Sequence, residues 1–364
     1  MTQFVESFAT QQLLPPWEAK GAQTWGFAFR LTERRIRAYL AKYFNGGYPD
    51  RAPFHYSPLP GPQFGLLTTC YFPNVASKNQ QTITRLGSGQ TSWDHLSHTE
   101  VYLAFPVMRH AITQDNLLTD PTLVWVQPFV YSDNDSVVFS SREIWGTDMF
   151  LATIARGAGA APGQFHLDAG MIGIKKFSPS SISELLAVLH ISTGGNLESG
   201  LPELLKANPD LEEFVKILGV SGVFAGQKPE GVGPSPYPEG VELNNLKQFR
   251  DCYDMGLAIY RGIVASRTSH TEIDNIVLYD PAKVEIAFMW SDSIAEILRT
   301  ILDVDEPTDQ GPPAAHGPGS PQSAATAMDW DMNRVVVKAE LGFSFTSNVN
   351  FEVIKTIYTY GMPA

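Results

Sequence analysis

The chain has 364 residues, of which 43% are hydrophobic and 18% are charged, enough apolar side chains for a sizeable core and too many for general disorder. A formal net charge of -12 disfavours nucleic acid and anionic membrane surfaces as partners. The two cysteines, Cys70 and Cys252, are too few for a disulfide framework or a cysteine-ligated zinc site. Cys70 lies in an apolar run and is expected to be a buried free thiol.

The beginning of the sequence predicts neither export nor membrane insertion. MTQFVESFATQQLLPPW has no basic region and no long apolar core, so no signal peptide is expected. No stretch approaches the roughly 18 apolar residues that a spanning helix needs. We therefore expect a soluble, cytoplasmic protein without a membrane partner.

The first half of the chain predicts one helix and two long strands. In TERRIRAYLAKYFNGG, Thr32 can cap a helix whose apolar residues recur at helical spacing, and Asn45-Gly46-Gly47 ends it. Two later segments are rich in β-branched and aromatic residues, which is typical of strands: EVYLAFPVM (100–108) and LVWVQPFVY (123–131). The small, Gly-rich segment ARGAGAAPG (155–163) predicts a loop.

The second half predicts three helices and three strands. SISELLAVL places Ser181 and Glu184 as a capping box, and NPDLEEFVKILG places Pro209 at the first helical position. SDSIAEILRTIL also has helical spacing. The predicted strands are KVEIAFMW (283–290), RVVVKAELGFSF (334–345) and NFEVIKTIYTY (350–360). Because helices and strands do not alternate regularly, the sequence favours an α+β fold of mostly antiparallel β structure over a doubly wound parallel sheet.

The sequence lacks several short catalytic motifs, which excludes the corresponding classes of site. There is no GxGxxG after a strand, no P-loop lysine and no GxSxG elbow. WDHLSHTE brings Asp94, His95, His98 and Glu100, which are possible zinc or iron ligands, within seven residues. Their spacing fits no standard metal pattern, so a loop followed by a strand is the favoured interpretation and no metal site is predicted. The adjacent pair Lys175-Lys176 predicts an edge strand marked by charge.

The segment from Ser97 to Ala152 resembles the acetoacetate decarboxylase superfamily. HTEVYLAFPV matches a strand that begins with a Thr-Glu pair, and FVYSDNDS matches a strand that ends in Tyr before an acidic turn. SREIWGTDMFLA stands where the family has a Gly-Arg-Glu-Leu/Ile-Trp-Gly-Phe-Pro-Lys-Lys-Leu block. HLDAG (166–170) is similar to a Leu-Asp-X-Gly turn that follows that block.

The resemblance implies a cone-like antiparallel β-barrel with peripheral helices and an internal pocket, formed by the whole chain, 1–364, as a single domain. Two stretches have no counterpart in the family: a helical and loop insertion at about 178–240, and a loop at about 303–329 that is expected to be mobile. The family's decarboxylases form a Schiff base with a lysine whose amine is activated inside the barrel.

The sequence departs from the family at that lysine. The resemblance places Met149 at the Schiff-base position and Phe150 at its lysine neighbour, while Thr147-Asp148 replaces a Phe-Pro pair. Neither Met149 nor Phe150 can form an imine. Glu100 matches the glutamate of the family's pocket.

The favoured function is therefore acid–base chemistry without a covalent intermediate, in a lyase-like enzyme of secondary metabolism. Glu100 is the best catalytic candidate and Asp148 a weaker partner, because a carboxyl group in an apolar pocket can act as acid or base near neutral pH. The alternatives are a structural carboxylate for Glu100 and a turn or capping residue for Asp148. Arg142 and Glu143 are expected to pair and to hold the turn as scaffold.

The predicted ligand is a keto acid or a polyketide-like carbonyl compound that undergoes enolisation, aldol or dehydration steps, or cyclisation. No cofactor and no metal are expected, and homo-oligomer formation is left open. Two other functions remain open: a non-catalytic barrel that binds a small molecule, and a decarboxylase that uses a displaced lysine, with Lys175 as first choice.

Overall fold

A computed structural model describes residues 14–46, 53–78, 93–115, 117–119, 121–158, 164–220, 240–250, 258–302, 328 and 333–360. Most of the described chain is β structure. The strands are β1 (Trp17–Leu31), β2 (Phe54–Pro58), β3 (Gln63–Ser77), β4 (Trp93–Ala111), β5 (Thr122–Ser132), β6 (Met149–Leu151), β7 (Thr153–Ala158), β8 (Phe165–Gly173), β9 (Glu184–Thr193), β10 (Val241–Arg250), β11 (Ala258–Tyr279), β12 (Val284–Met289), β13 (Arg334–Val337) and β14 (Leu341–Tyr360).

The helices are short and lie outside the strands of the sheets. They are α1 (Glu33–Leu40), α2 (Asp135–Ser140), α3 (Gly200–Ala207), α4 (Pro209–Val220) and α5 (Ala295–Leu302). A π-helical turn follows α1 at Ala41–Asn45, another follows α2 at Ser141–Trp145, and a 3-10 turn spans Pro281–Lys283. No described helix is long and apolar enough to cross a membrane.

Nine strands form the larger sheet, in the order β2-β4-β3-β1-β14-β11-β10-β5-β6. A further antiparallel pairing between β4 and β5 joins strands from opposite parts of this order. Seven strands therefore form a ring: β4, β3, β1, β14, β11, β10 and β5. Within the described chain, β10 and β5 are joined by one parallel pair, Leu243 with Trp125.

The smaller sheet has five strands in the order β13-β12-β9-β8-β7. Alternate residues of its strands pack against the outside of the ring in one buried cluster, as Phe165 does with Trp25, whose rings stack 4.5 Å apart. Nearly all pairs among the described strands are antiparallel; of these strands, β5 alone pairs in parallel, with β6 and with β10. The structure thus confirms the predicted α+β class with mostly antiparallel β structure and peripheral helices.

Three of the four predicted helices are confirmed. In α4, Pro209 is the first residue, and the apolar stripe from Leu211 to Leu218 is buried against Phe64 and Trp125. Helix α1 follows Thr32, whose side chain makes no capping hydrogen bond. Helix α5 matches SDSIAEILRTIL.

The helix predicted in SISELLAVL is wrong, because residues 184–193 form β9. This strand pairs with both β8 and β12. Its four consecutive residues from Leu186 to Leu189 are all buried: Leu186 and Ala187 belong to one cluster, Val188 and Leu189 belong to another, and the pairing with β8 shifts register between them. A strand buried on both faces has a continuous apolar run, which helical spacing also fits. Within the stretch 178–240, the described helices are α3 and α4.

Four local predictions also differ from the structure. Residues 155–158 of the predicted loop belong to β7, whereas 159–163 lie outside the described residues. HLDAG is a strand segment in β8 and not a turn. Lys175-Lys176 lies in a bend after β8 and not in an edge strand. RVVVKAELGFSF divides between β13 and β14, and β14 continues without a break through NFEVIKTIYTY.

Parts of the two stretches without a family counterpart lie outside what the structure describes: residues 221–239 of the first, and all of the stretch 303–329 except Met328.

Candidate functional site

A cavity of about 140 Å³ lies inside the ring. All seven ring strands contribute side chains to its wall, as do Leu218 of α4, β6 and the turn that follows α2. Most of these side chains are apolar or aromatic, and a smaller number of polar groups are placed among them. This combination is typical of small-molecule binding sites.

Three inward-facing residues of β4 contribute polar groups to the wall: His98, Glu100 and Tyr102. They are spaced two apart, so the alternation of a β-strand directs them to the same side. His98 Nε2 lies 3.0 Å from Glu100 Oε1. The His98 side chain is 4% exposed and the Glu100 side chain is 15% exposed, which leaves the carboxylate as the more accessible member of the pair.

The acidic turn after β5 holds the beginning of this strand segment. Asp133 Oδ1 accepts a hydrogen bond of 2.7 Å from the backbone N–H of Thr99. Asn134 then caps α2 by accepting from Val137 N at 3.2 Å. The acidic turn therefore fixes the backbone beside Glu100 and starts the helix that leads to the next part of the wall.

Four cavity-lining residues carry a buried polar atom that has no hydrogen-bond partner among the described residues. These atoms are Thr68 Oγ1, His98 Nδ1, Trp145 Nε1 and Asn245 Oδ1. A buried polar group without a partner costs about 1–3 kcal/mol. A polar ligand that reaches these atoms would recover part of that free energy, so they favour a ligand with hydrogen-bonding groups over a purely apolar one.

Three other titratable side chains of the wall are held in their neutral forms by burial. Desolvation raises the pKa of Cys70 to about 12 and raises the pKa of Tyr102 well above its ordinary value. Desolvation also lowers the pKa of His270 to about 4. At neutral pH the Cys70 thiol is thus a poor nucleophile, while the Tyr102 hydroxyl keeps its proton and can donate a hydrogen bond. Cys70 is buried and free, as the sequence predicts.

The block SREIWGTDMFLA forms the π-helical turn Ser141–Trp145, then Gly146, then β6. Gly146 has φ +67, and a Cβ atom at this position would lie 2.6 Å from Lys247 Cβ. Both the left-handed backbone and the close approach require glycine here. Asn245 Nδ2 donates to Trp145 O at 3.4 Å and to Thr147 Oγ1 at 3.3 Å, which ties the turn to β10.

Met149 and Phe150 point to opposite sides of β6. Met149 is 3% exposed and lines the cavity. Phe150 packs against the cluster outside the ring, with its centroid 6.2 Å from that of Tyr131. Of the two positions that the resemblance assigns to lysines, only the one occupied by Met149 therefore faces the cavity.

Asp148, Arg142 and Glu143 lie apart from the cavity wall. Asp148 is exposed as a whole residue, but neighbouring protein atoms partly desolvate its carboxyl group. This desolvation raises the pKa of the carboxyl group, and Arg142 opposes the effect. The Arg142 guanidinium lies 6.0 Å from the ring centroid of Phe150. No ion pair joins Arg142 to Glu143 within the part of the chain that the structure describes; instead, the Glu143 carbonyl accepts a hydrogen bond from Lys247 Nζ.

No lysine is among the described residues that line the cavity. Lys175 lies in the bend after β8. Lys247 is nearer, since it follows the lining residue Asn245 on the same face of β10, and desolvation lowers the pKa of its amine. Its ammonium group is directed to the Glu143 carbonyl outside the wall.

No sequence pattern marks Asn245, Trp145 or Tyr102 as a site residue. His98 stands out in the sequence only as a possible metal ligand. The one available signal was the alternation of His98, Glu100 and Tyr102 in HTEVY, which places three polar side chains on one face of a predicted strand. Asn245 lies about 100 residues from the turn it contacts, and no local pattern could connect them.

No protein-family model matches the sequence, and no curated protein matches it. Among solved structures, the chain is similar to acetoacetate decarboxylase from Legionella pneumophila, with 10% identity, coverage of 95% of this chain and 88% of that one, and a TM-score of 0.45.

Two further solved structures are also similar to this chain. One is the enduracididine biosynthesis enzyme MppR, complexed with the condensation product of pyruvate and imidazole 4-carboxaldehyde, with 10% identity, coverage of 94% and 88%, and a TM-score of 0.42. The other is an acetoacetate decarboxylase-like enzyme from Sphingomonas wittichii RW1, with 10% identity, coverage of 95% and 96%, and a TM-score of 0.42. The chain is thus similar to the proteins that its segment 97–152 resembles.

Proposed function

We propose that this chain is an acetoacetate decarboxylase-like enzyme without the Schiff-base lysine, and that it uses Glu100 for acid–base chemistry on a small keto acid. The observation that carries the proposal is the hydrogen-bonded pair of His98 and Glu100 on the wall of the ring cavity. Met149 occupies the wall position that the resemblance assigns to the Schiff-base lysine.

Glu100 acts as the base that removes a proton from the carbon next to the substrate carbonyl. His98 holds one carboxylate oxygen through Nε2 and leaves the other oxygen for the substrate. The electron pair of the broken C–H bond moves onto the carbonyl oxygen as an enolate forms. Tyr102, which burial keeps protonated, donates a hydrogen bond to that oxygen, and such stabilisation of developing charge is a large part of enzymatic catalysis. Protonated Glu100 then returns the proton or passes it on in an aldol or dehydration step.

The size of the cavity narrows the substrate class. An engineered protein cavity of about 150 Å³ accommodates benzene, so a cavity of about 140 Å³ fits a keto acid with about six non-hydrogen atoms. A polyketide-like chain would need a larger space, because pockets for drug-sized ligands have volumes of about 300–1,000 Å³. Of the two substrate classes that the sequence leaves open, the cavity favours the small keto acid.

The experiment measures exchange of the methyl protons of pyruvate for deuterium by NMR, with the full-length protein. We expect exchange with the wild type and a loss of about 100-fold or more in Glu100→Gln, the size of a general-base contribution, with little change in melting temperature. The matched control is Glu352→Gln, which changes an exposed glutamate of β14 and should leave exchange unchanged.

An unchanged rate in Glu100→Gln would exclude Glu100 as the base. Borohydride trapping with pyruvate tests the alternative of a decarboxylase that uses a displaced lysine. A covalent adduct at Lys247, Lys175 or any other lysine would show that the enzyme forms an imine.

A second candidate function is a binding barrel without catalysis. The apolar and aromatic majority of the wall favours it, as do the unreactive states of Cys70 and His270. Calorimetry with pyruvate, together with the NMR exchange assay, decides between the two functions. Saturable binding without proton exchange would support a binding protein and contradict the proposed enzyme.

A further inference from the structure

A second group of titratable side chains lies on the smaller sheet, away from the ring cavity. His166 and Asp168 are two residues apart on β8 and therefore share a face. His190 stands directly opposite Asp168 on the neighbouring strand β9. The residues that alternate with them on β8, Leu167 and Ala169, pack into the cluster between this sheet and the ring. The group is thus on the face of the sheet turned away from the ring.

The three side chains converge on one carboxylate. His166 Nε2 lies 2.8 Å from Asp168 Oδ2, and His190 Nδ1 lies 2.8 Å from Asp168 Oδ1. The two imidazole rings are 5.0 Å apart at an interplanar angle of 69°. One potential ligand atom from each residue lies within 4.8 Å of the others.

We propose that His166, Asp168 and His190 form a binding site for one divalent transition-metal ion, of the Zn²⁺ class. Two imidazoles with one carboxylate are a ligand set that such ions use, and three protein ligands leave a coordination position for water or a further ligand. The ligands are on two paired strands, so the backbone fixes their relative positions without any loop.

The distances are compatible with this ion after a small movement. With metal–ligand bonds of about 2.0–2.2 Å, neighbouring ligand atoms are about 3–3.5 Å apart. The three ligand atoms now lie within 4.8 Å of one another. Side-chain rotations that move these atoms by about 1 Å would bring them into that range. The ion would then replace the two hydrogen bonds to Asp168 by coordinate bonds to the same atoms.

Burial and charge favour a cation at this position. Asp168 is fully buried, and His166 and His190 are 15% and 19% exposed, so the imidazoles provide the route of approach. The Asp168 carboxyl group lies between the two imidazoles, 2.8 Å from a nitrogen of each, so a cation bound there would be shared by all three side chains. Metal ligands of these types bind in their deprotonated forms.

This site is separate from the proposed catalytic cavity and differs from the sequence-based expectation of no metal. HLDAG contains two of the three ligands, but as a predicted turn it gave no reason to join them to His190. The cross-strand register of β8 and β9 supplies that connection.

The test is calorimetric titration of the untagged, full-length protein with Zn²⁺ after dialysis against a chelator. We expect saturable binding of one ion per chain and a melting temperature that rises with Zn²⁺ concentration. His190→Ala should weaken binding at least about 10-fold, because even changes to residues behind the ligands cost 10–100-fold in metal affinity. His190→Gln, which can still donate to Asp168, serves as a second variant that preserves the fold if the alanine variant does not.

The control is His55→Ala. His55 and His110 face each other across β2 and β4 with ring centroids 6.4 Å apart, so this variant tests whether any cross-strand histidine pair binds the ion. It should bind Zn²⁺ as the wild type does. The proposal is overturned if the wild type binds no Zn²⁺, or if His190→Gln binds it as tightly, because the three residues are then a hydrogen-bonded cluster only.

Discussion

The molecule contains two carboxylate–imidazole groups that differ in how completely their hydrogen bonds are made. In the ring cavity, Glu100 has one imidazole partner, His98, and the wall around it includes unpaired polar atoms. On the smaller sheet, both oxygens of Asp168 have an imidazole partner. The first arrangement leaves a carboxylate oxygen and several polar atoms for a ligand, whereas the second holds a fixed buried charge. The same pair of chemical groups thus supports different tasks, according to which atoms remain unpaired.

Acid titration should separate these two regions, and the largest effect is expected at His270 in the ring. Its folded-state pKa of about 4 lies below the ordinary value of about 6.5, so the unfolded chain binds the proton more tightly. His270 therefore contributes stability above pH about 6.5 that is lost as the pH falls towards 4, and 2.5 pKa units correspond to about 3 kcal/mol.

In the wild type, His270 Nδ1 contacts Ser347 Oγ. An Asn at this position can contact Ser347 through its side-chain amide but does not titrate, so His270→Asn should remove this pH dependence. Urea denaturation at pH 7.5, 5.5 and 4.5 measures it. If His270→Asn loses as much stability as the wild type between pH 6.5 and 4, His270 is not the group that titrates.

The next effect belongs to Asp168 and appears at lower pH. Its folded-state pKa of about 2 is below the ordinary value of about 3.9. The contribution of Asp168 is thus complete above pH about 4 and is lost as the pH falls towards 2, by about 2–3 kcal/mol. In Asp168→Asn this decline should disappear, as urea midpoints measured between pH 5 and 2.5 would reveal.

Asp115→Asn, at an exposed turn, is the control and should behave as the wild type does. A wild-type stability that is flat from pH 4 to 2.5 would contradict the assignment of this charge to Asp168.

The smallest effect is expected at Asp148. Because this residue is exposed and is not among those that line the cavity, Asp148→Asn should change the rate of pyruvate proton exchange by less than about twofold. The same NMR assay measures it beside Glu100→Gln. A loss of tenfold or more would return Asp148 to the catalytic role that the sequence suggests, and would mean that the reacting carbon is bound outside the ring.

Much of the architecture could be predicted from local patterns. In helices and strands that bury one face only, apolar residues recur at a regular spacing in the sequence. Helix α4 was found from Pro209 and its apolar stripe, and β4 and β5 were found from their aromatic and β-branched runs. Strand β9 was missed because both of its faces are buried, which removes the alternation that marks a strand. The continuity of β14 was missed because Asn348 interrupts the apolar pattern within a segment that the neighbouring strands hold extended.

The candidate site was predictable only in part, for a different reason. Glu100 and Met149 were identified through the family resemblance, and both line the cavity. Whether Asp148 or Met149 faces inward depends on the register of the three-residue strand β6 against β5, and a shift of one residue exchanges the two faces. Contacts such as Asn245 with Trp145, or His190 with Asp168, arise from strand pairing and have no signature in either segment alone.

The single parallel pair that joins β10 to β5 gives the ring a seam. Ladders of many paired residues join the other neighbouring ring strands, including β1 to β3 and β3 to β4, so local separation of the wall costs least free energy where one bridge must break. Both members of that bridge, Leu243 and Trp125, line the cavity. Transient parting of β10 from β5 would therefore admit solvent directly to the interior, and amide hydrogens along this seam should exchange before those of the rest of the ring.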